Sequence, residues 1–444
     1  MGEDLCIEEA AGVLLKQLEA ILDHDKLIDE IGFIHPSQFA DFTLDLPVVT
    51  RPPPPNIYQT SGAAIKNNIT DFRCLVYDET VFWYGQHKLA ISVHAIPQLY
   101  FASRIAYMNA RRSYIGAISI SKTNGYMNTA IDRVDFDQLE TDVLSHSKAL
   151  LIMSCDFGSV WNSRKLVLLQ KHELSVFMEE FHLCTLILSS SPKSEQAWSH
   201  RRWVIKNVAR KFHDLHDIIE QESELVKKIA EKSKMNYRAW NHQCWLITYM
   251  SRDQKLDELL KSRKWAELHV ADSCCFHYRR RLILSMLEDS TLRDDEMSSV
   301  TPDAFILLKE ELKWNVLLIK RYIGREALWI HRRFLSYYWI KLFANPQDVG
   351  FPGEDQHKVV TDLDGFIGKE IELLNSCLNL PIVEFEDTQS QAQHAAAYIL
   401  WISKKIPLPF ESNFNDKLEE VGGLKTILMN TSSDKSLIWQ SLLD

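Results

Sequence analysis

One set of residues recurs along this 444-residue chain with types and spacing that could do chemistry: an aromatic followed three positions later by a polar anchor. It occurs in VWNSRKLVLL (160–169), AWSHRRWVIK (197–206), AWNHQCWLIT (239–248), CFHYRRRLIL (275–284) and LWIHRRFLSY (328–337). The aromatics are Trp161, Trp198, Trp240, Phe276 and Trp329, and the anchors are Arg164, Arg201, Gln243, Arg279 and Arg332. A tryptophan beside an arginine can form a basic-aromatic face that holds an anion. The same pair, on one face of a helix, can instead be a packing seam. There the arginine stem covers the indole of a neighbouring repeat, and the guanidinium satisfies carbonyls or carboxylates between helices. Recurrence along the chain favours the seam, since repetition at the level of fold mostly reports packing.

Other chemistries lack their residues. The 16 histidines include no H-E-x-x-H, and no Cys/His cluster has metal-ligand spacing, so no metal site is expected in this chain. The 8 cysteines (Cys6, Cys74, Cys155, Cys184, Cys244, Cys274, Cys275 and Cys377) form no C-x-x-C, and most lie in apolar stretches. They read as buried free thiols of a reducing compartment. A formal net charge of -10 argues against a nucleic-acid role. The acidic opening MGEDLCIEEA is no secretory signal, and no apolar run is long enough to span a bilayer. Gly2 has Cys6 where myristoylation wants Ser or Thr, and SLLD is no prenylation box. The expected location is the cytoplasm.

The elements that must position the motif follow from its period. The five aromatics stand 37, 42, 36 and 53 residues apart, the last gap lengthened by the acidic insertion LEDSTLRDDEMSSVTPD (287–303). Before four of the copies lies an amphipathic stretch, such as 215–233, with Ile218, Ile219, Leu225, Val226 and Ile229 at helical spacing. Each unit is therefore a helix pair that cannot bury its apolar face alone. Stacked pairs give an all-α fold, a right-handed crescent-shaped α-α superhelix or solenoid. Low glycine and proline content, 15 and 14 residues, agrees with long regular helices. The reading divides the chain into an N-terminal helical extension (1–135), five helix-pair repeats (136–345) and a C-terminal helical cap (346–444) of about three helices, in one continuous structure. The extension has a helix within 8–33, a polyproline-like linker at 46–62 and a loop at 119–133.

SPKSEQAW and KMNYRAWNH, which lead into two of the W-x-x-R helices, make the array resemble protein prenyltransferase α-subunit repeats, whose pattern is roughly P-K-N-Y-x-x-W-x-x-R. The likeness covers residues 137–343, and the lead-in IDEIGFIHPSQF with its long extension looks most like the family's orphan branch. The resemblance implies the α subunit of a heterodimeric protein prenyltransferase, an enzyme by virtue of its partner. A separate β subunit, the Rab geranylgeranyltransferase type foremost, would hold the zinc, activate the acceptor's cysteine thiol and enclose the isoprenoid. The acceptor would be a trafficking protein with C-terminal cysteine, such as a SNARE, and the donor a prenyl diphosphate, geranylgeranyl before farnesyl. Lys193, five residues before Trp198, matches the family lysine that projects toward the diphosphate, where an ammonium would neutralise leaving-group charge; alone it reads as a solvated lysine. Gln196 matches a glutamine that receives the acceptor's terminal carboxylate, or is a solvated residue of the first helical turn. Tyr237 either lines the substrate cavity or is buried with its hydroxyl on the backbone. Ser194 and Glu195 depart from the family's Asn-Tyr, which Asn236 and Tyr237 keep. The competing reading is a non-catalytic α-solenoid adaptor.

Overall fold

In the computed structural model the described residues are 2–39, 81–124, 130–212, 215–291, 302–344, 356–381, 387–432 and 436–443. The polyproline segment 46–62 and most of the acidic insertion 287–303 fall outside them. The chain forms two compact units, Met1–Leu215 and His216–Asp444.

In the first unit, α1 (Gly2–His24) buries Leu14, Leu18, Ile21 and Leu22, the apolar stripe legible at helical spacing. Three short strands follow, β1 (Glu30–Ile34), β2 (Phe82–Gly85) and β3 (Lys88–Ser92), in the order β1-β3-β2. β1 runs parallel to β3 and β2 antiparallel to it. Ile31, Leu89 and Ile91 of the sheet join α1 and Leu99 and Ala102 in one core. The β2–β3 turn places Gln86 and His87 at φ 50° and 59°, the left-handed pair that a tight hairpin demands. A carboxylate of Asp25 holds the His87 ring, 3.0 Å away. Five helices complete the unit: α2 (Ile96–Asn124), α3 (Ala130–Met153), α4 (Gly158–Leu168), α5 (Leu174–Ser190) and α6 (Glu195–Lys211). The stretch 119–133, expected as a loop, is helical at 119–124 and again from Ala130, so α2 and α3 absorb most of it. Ser119, exposed, donates its hydroxyl to the Ile115 carbonyl one turn back, at 2.9 Å.

The second unit is helical throughout its described residues: α7 (His216–Lys232), α8 (Tyr237–Leu246), α9 (Arg252–Leu268), α10 (Ser273–Thr291), α11 (Pro302–Arg321), α12 (Glu326–Ala344), α13 (Gln356–Leu378), α14 (Thr388–Ser403), α15 (Leu408–Glu420), α16 (Leu424–Thr431) and α17 (Ser436–Leu443). Among the described residues after 345 there are five helices, where about three were expected. The reason is that α13 and α14 pack as a further pair against α12, continuing the repeat without its tryptophan-arginine signature. The molecule is thus an all-α helical repeat with one small sheet.

Candidate functional site

Each motif lies on the second helix of its pair, and its side chains reach both backward and forward along the array. Arg164 on α4 donates from Nη1 to the carbonyl of Leu144 on α3, and Arg279 on α10 donates to that of Leu259 on α9, both at 2.6 Å. Arg201 reaches Phe181 and Arg332 reaches Leu312 in the same way, at 2.8 Å. The acceptor stands 20 residues before the arginine in every case. The rest of the guanidinium grips the next pair. Arg164 Nε donates to Glu180 on α5 at 3.1 Å, Arg279 forks onto both oxygens of Glu311 on α11 at 2.7 and 2.8 Å, and Arg332 forks onto Glu370 on α13.

The residue before Arg201, Arg279 and Arg332 completes the set. His200 places Nε2 2.8 Å from Glu180, and His331 places Nε2 3.0 Å from Glu311. In the same register His242 meets Glu222 at 2.8 Å, Tyr278 meets Glu258 at 3.0 Å, and Tyr398 meets Glu370 at 2.7 Å. The anchor aromatic then lies on that same ring of the following pair: Trp161 on His200 (4.6 Å between centroids), Trp240 on Tyr278 (5.7 Å), Phe276 on His331 (5.3 Å) and Trp329 on Tyr398 (5.6 Å). Trp161, Arg164, Trp198, Arg201, Trp240, Phe276, Arg279, Trp329 and Arg332 are all buried. The indole N–H of Trp161 and of Trp198 closes the preceding corner on a carbonyl six residues back, Cys155 and Pro192 respectively.

Electrostatics fix the protonation of this seam. Burial would raise the carboxyl of Glu180, but the Arg164 guanidinium and then His200 outweigh it and hold it at about 2. Arg279 and His331 do the same for Glu311, also at about 2. Burial pushes His200 and His331 below the usual histidine range despite their glutamates. Each ring is therefore neutral, donates Nε2–H to a carboxylate that can only accept, and leaves Nδ1 as a buried lone pair without a donor among the described residues. The seam is charge-balanced and closed to solvent. It holds the fold.

The remaining candidates sit at the corners that lead into the second helices, outside the seam. Lys193 is exposed, immediately before the N-cap Ser194 of α6. Ser194 Oγ accepts from Ala197 N at 3.3 Å and donates to Asp156 at 3.2 Å. It caps its helix as Asn236 caps α8, where Oδ1 accepts from Ala239 N at 3.2 Å. Replacement of the family's asparagine by Ser194 thus keeps the cap. Glu195 is drawn to Arg202, 2.7 Å away. Gln196 is exposed in the first turn, its amide nitrogen facing Gly158. Tyr237 is 63% exposed at the start of α8, not buried on the backbone. No three His, Cys, Asp or Glu side chains converge as metal ligands among the described residues. Among the described residues the thiols are buried or half-buried, and burial pushes Cys274 to about 11 and Cys244 to about 12, far from reactive thiolates.

The pairing rule was half visible in the sequence. The arginines and aromatics stand out by spacing, whereas the glutamates and the histidine or tyrosine between them were missed. W-x-H in Trp198–His200, Trp240–His242 and Trp329–His331 was the available signal.

Helix pairs joined by this seam define the class. The sequence profile of the protein prenyltransferase alpha subunit repeat matches residues 177–208 and 219–250, which cover most of α5 and α6 and of α7 and α8. Over those residues the chain carries two repeats of the protein prenyltransferase alpha subunit type. It is 27% identical over 315 residues to the human protein prenyltransferase alpha subunit repeat-containing protein 1, covering 57% of this chain and 76% of that one. It is 30% identical to the Xenopus laevis protein of that name, form 1-B, over 41% of this chain and 52% of the relative. The zebrafish (Danio rerio) relative is also 30% identical, over 44% of this chain and 54% of its own length. No helix among the described residues is long and apolar enough to cross a membrane.

Proposed function

We propose that this chain is the α subunit of a heterodimeric protein prenyltransferase that transfers a geranylgeranyl group to a cysteine of a trafficking protein. The β subunit, of the Rab-type geranylgeranyltransferase kind, holds the zinc that activates the acceptor thiol. Lys193 contributes charge at the prenyl diphosphate, while Gln196 and Tyr237 meet the acceptor.

One observation carries the reading. The corner position five residues before each anchor aromatic is Asp156, Lys193, Met235, Ala271 and Gly324 in turn, while the seam behind it barely changes. Packing therefore makes no demand for a lysine there. A cation at the N-terminal end of α6 also adds to the positive end of the helix dipole, the reverse of what stability would select. An anion bound at Lys193 turns both costs into attraction, as a diphosphate would. Glu195, occupied by Arg202, leaves the ammonium to such a ligand.

The adaptor reading draws on one departure: Glu195 stands where the family pattern has tyrosine, which removes an aromatic contact to an acceptor. Co-expression with each prenyltransferase β subunit, followed by size-exclusion chromatography and zinc analysis, separates the two. The transferase reading expects a stoichiometric, zinc-bearing complex with one β subunit. A folded chain that binds none of them sinks it and leaves the adaptor.

A further inference from the structure

Two arginine pairs close the basic clusters of the second unit, Arg279–Arg280 and Arg332–Arg333. The first member of each is the seam residue, fully engaged by a glutamate. The second, four residues after Phe276 or Trp329, is half-buried on another face of the same helix. There Arg280 Nη1 and Arg333 Nε are sealed from solvent with no hydrogen-bond acceptor among the described residues. A buried guanidinium donor without an acceptor is costly, and the seam one residue away shows that the fold supplies glutamates where it needs them. The defect recurs at the same position of two consecutive repeats.

The surroundings have one character. α10 packs beside α8 and α12. Exposed His277 and Arg281 flank Arg280, and both arginines help push His277 below the usual range after burial has done so. Aromatic rings fill the rest: Trp245 against Tyr249, and Phe334 against Tyr338, itself touching the exposed Tyr337. The carboxylates whose fields reach this face, Glu326 and Glu288, lie toward the ends of α12 and α10. In a chain of net charge -10, this is a local reversal of sign over an apolar floor.

We propose that this face binds an acidic polypeptide segment of a partner protein, with carboxylates on Arg280 and Arg333 and apolar side chains on the rings of Trp245, Phe334 and Tyr337. The two arginines rise from neighbouring helices whose axes stand about 8–10 Å apart. Both arginines keep part of their surface exposed, so the spacing suits successive carboxylates along a chain better than one small anion. A polynucleotide would bring dense phosphate to an acidic protein with few cations here. The inference does not rest on the transferase reading and is tested on the full chain alone.

The probe is a fluorescently labelled glutamate–tyrosine copolymer, followed by anisotropy at low salt. The full chain binds it, and salt weakens the complex. Arg280→Gln with Arg333→Gln weakens binding by at least about tenfold, because both charge-assisted contacts go. The unfolding midpoint of that double variant does not fall, since neither arginine serves an internal bond. Tyr337→Ala and Arg281→Gln, both at exposed sites, each weaken binding a few-fold and decide the matter if the double variant misfolds. Lys313→Gln on α11 changes nothing. Absence of binding, or equal affinity in the double variant and wild type, overturns the proposal. So does tighter, arginine-dependent binding of inorganic diphosphate or oligothymidylate, which would make phosphate the occupant.

Discussion

In the pair formed by α11 and α12, Glu311 is held by the Arg279 guanidinium and the His331 imidazole. In the pair formed by α9 and α10, Glu258 occupies the same place but is held by the Gln243 amide at 3.3 Å and the Tyr278 hydroxyl at 3.0 Å. Where the arginine is lost, Lys227 brings its ammonium to 3.5 Å from Glu258, and the Gln243 amide also donates to Ser223 at 2.6 Å and to the Tyr278 hydroxyl at 3.2 Å. Arginine to glutamine and histidine to tyrosine have changed together, and a lysine from the preceding helix restores the charge. What the repeat preserves is a satisfied buried carboxylate, reached by whichever donors the pair can supply.

That comparison can be broken most forcefully at Glu311. Glu311→Ala leaves the Arg279 guanidinium and the His331 N–H buried without their carboxylate, a loss of about 3–5 kcal/mol. Glu258→Ala orphans neutral donors and a lysine with solvent access, and costs about 1–3 kcal/mol. Urea denaturation of the two variants against wild type checks the ordering; equal losses would mean that charge plays no part in the difference.

Acid sharpens the same contrast. Folded His200 and His331 stay neutral below the usual histidine range, while the unfolded chain takes up protons near 6.5. Their contribution is therefore full above that pH and falls as acid is added, by at most about 1.4 kcal/mol per pH unit for each histidine. Glu180 and Glu311 follow: the unfolded carboxyls protonate near 4.5, the folded ones near 2, and their contribution drains between those values. The urea midpoint should fall from pH 7 to pH 5, and His331→Tyr, the residue that repeat four already uses, should flatten that fall. A slope unchanged in the variant would contradict the assignment.

The smallest effect concerns the indoles. Trp198 donates to Pro192, whereas the Trp240 N–H has no acceptor among the described residues, and the fourth copy already carries Phe276. Trp198→Phe should cost about 1–2 kcal/mol and Trp240→Phe under about 1 kcal/mol, read as shifts in denaturation midpoint.

The helix pairs and the residues of the seam were legible because a 3.6-residue period and an aromatic-to-arginine step are local signals. The carboxylate partners were not, since Glu180, Glu311 and Glu370 are ordinary acidic residues until folding sets them against the arginine of the preceding pair. The sheet was hidden for another reason. β1 stands some fifty residues from β2, and the hairpin turn uses Gln86 and His87 where a glycine would have announced it. Of the candidate site, the exposure of Lys193, Gln196 and Tyr237 required the structure. So did the contrast between Arg279 and Arg280, adjacent in sequence and opposite in role.

The central claim separates a buried seam that holds the fold from an exposed corner that serves chemistry, and Lys193→Ala within the complex with a β subunit tests it most directly. The account predicts an unchanged melting temperature, an intact complex and prenyl transfer slowed by about 10–100-fold, the scale of losing one electrostatic contact to a leaving group. Undiminished turnover, or a complex that falls apart, would place Lys193 outside the reaction and contradict the division.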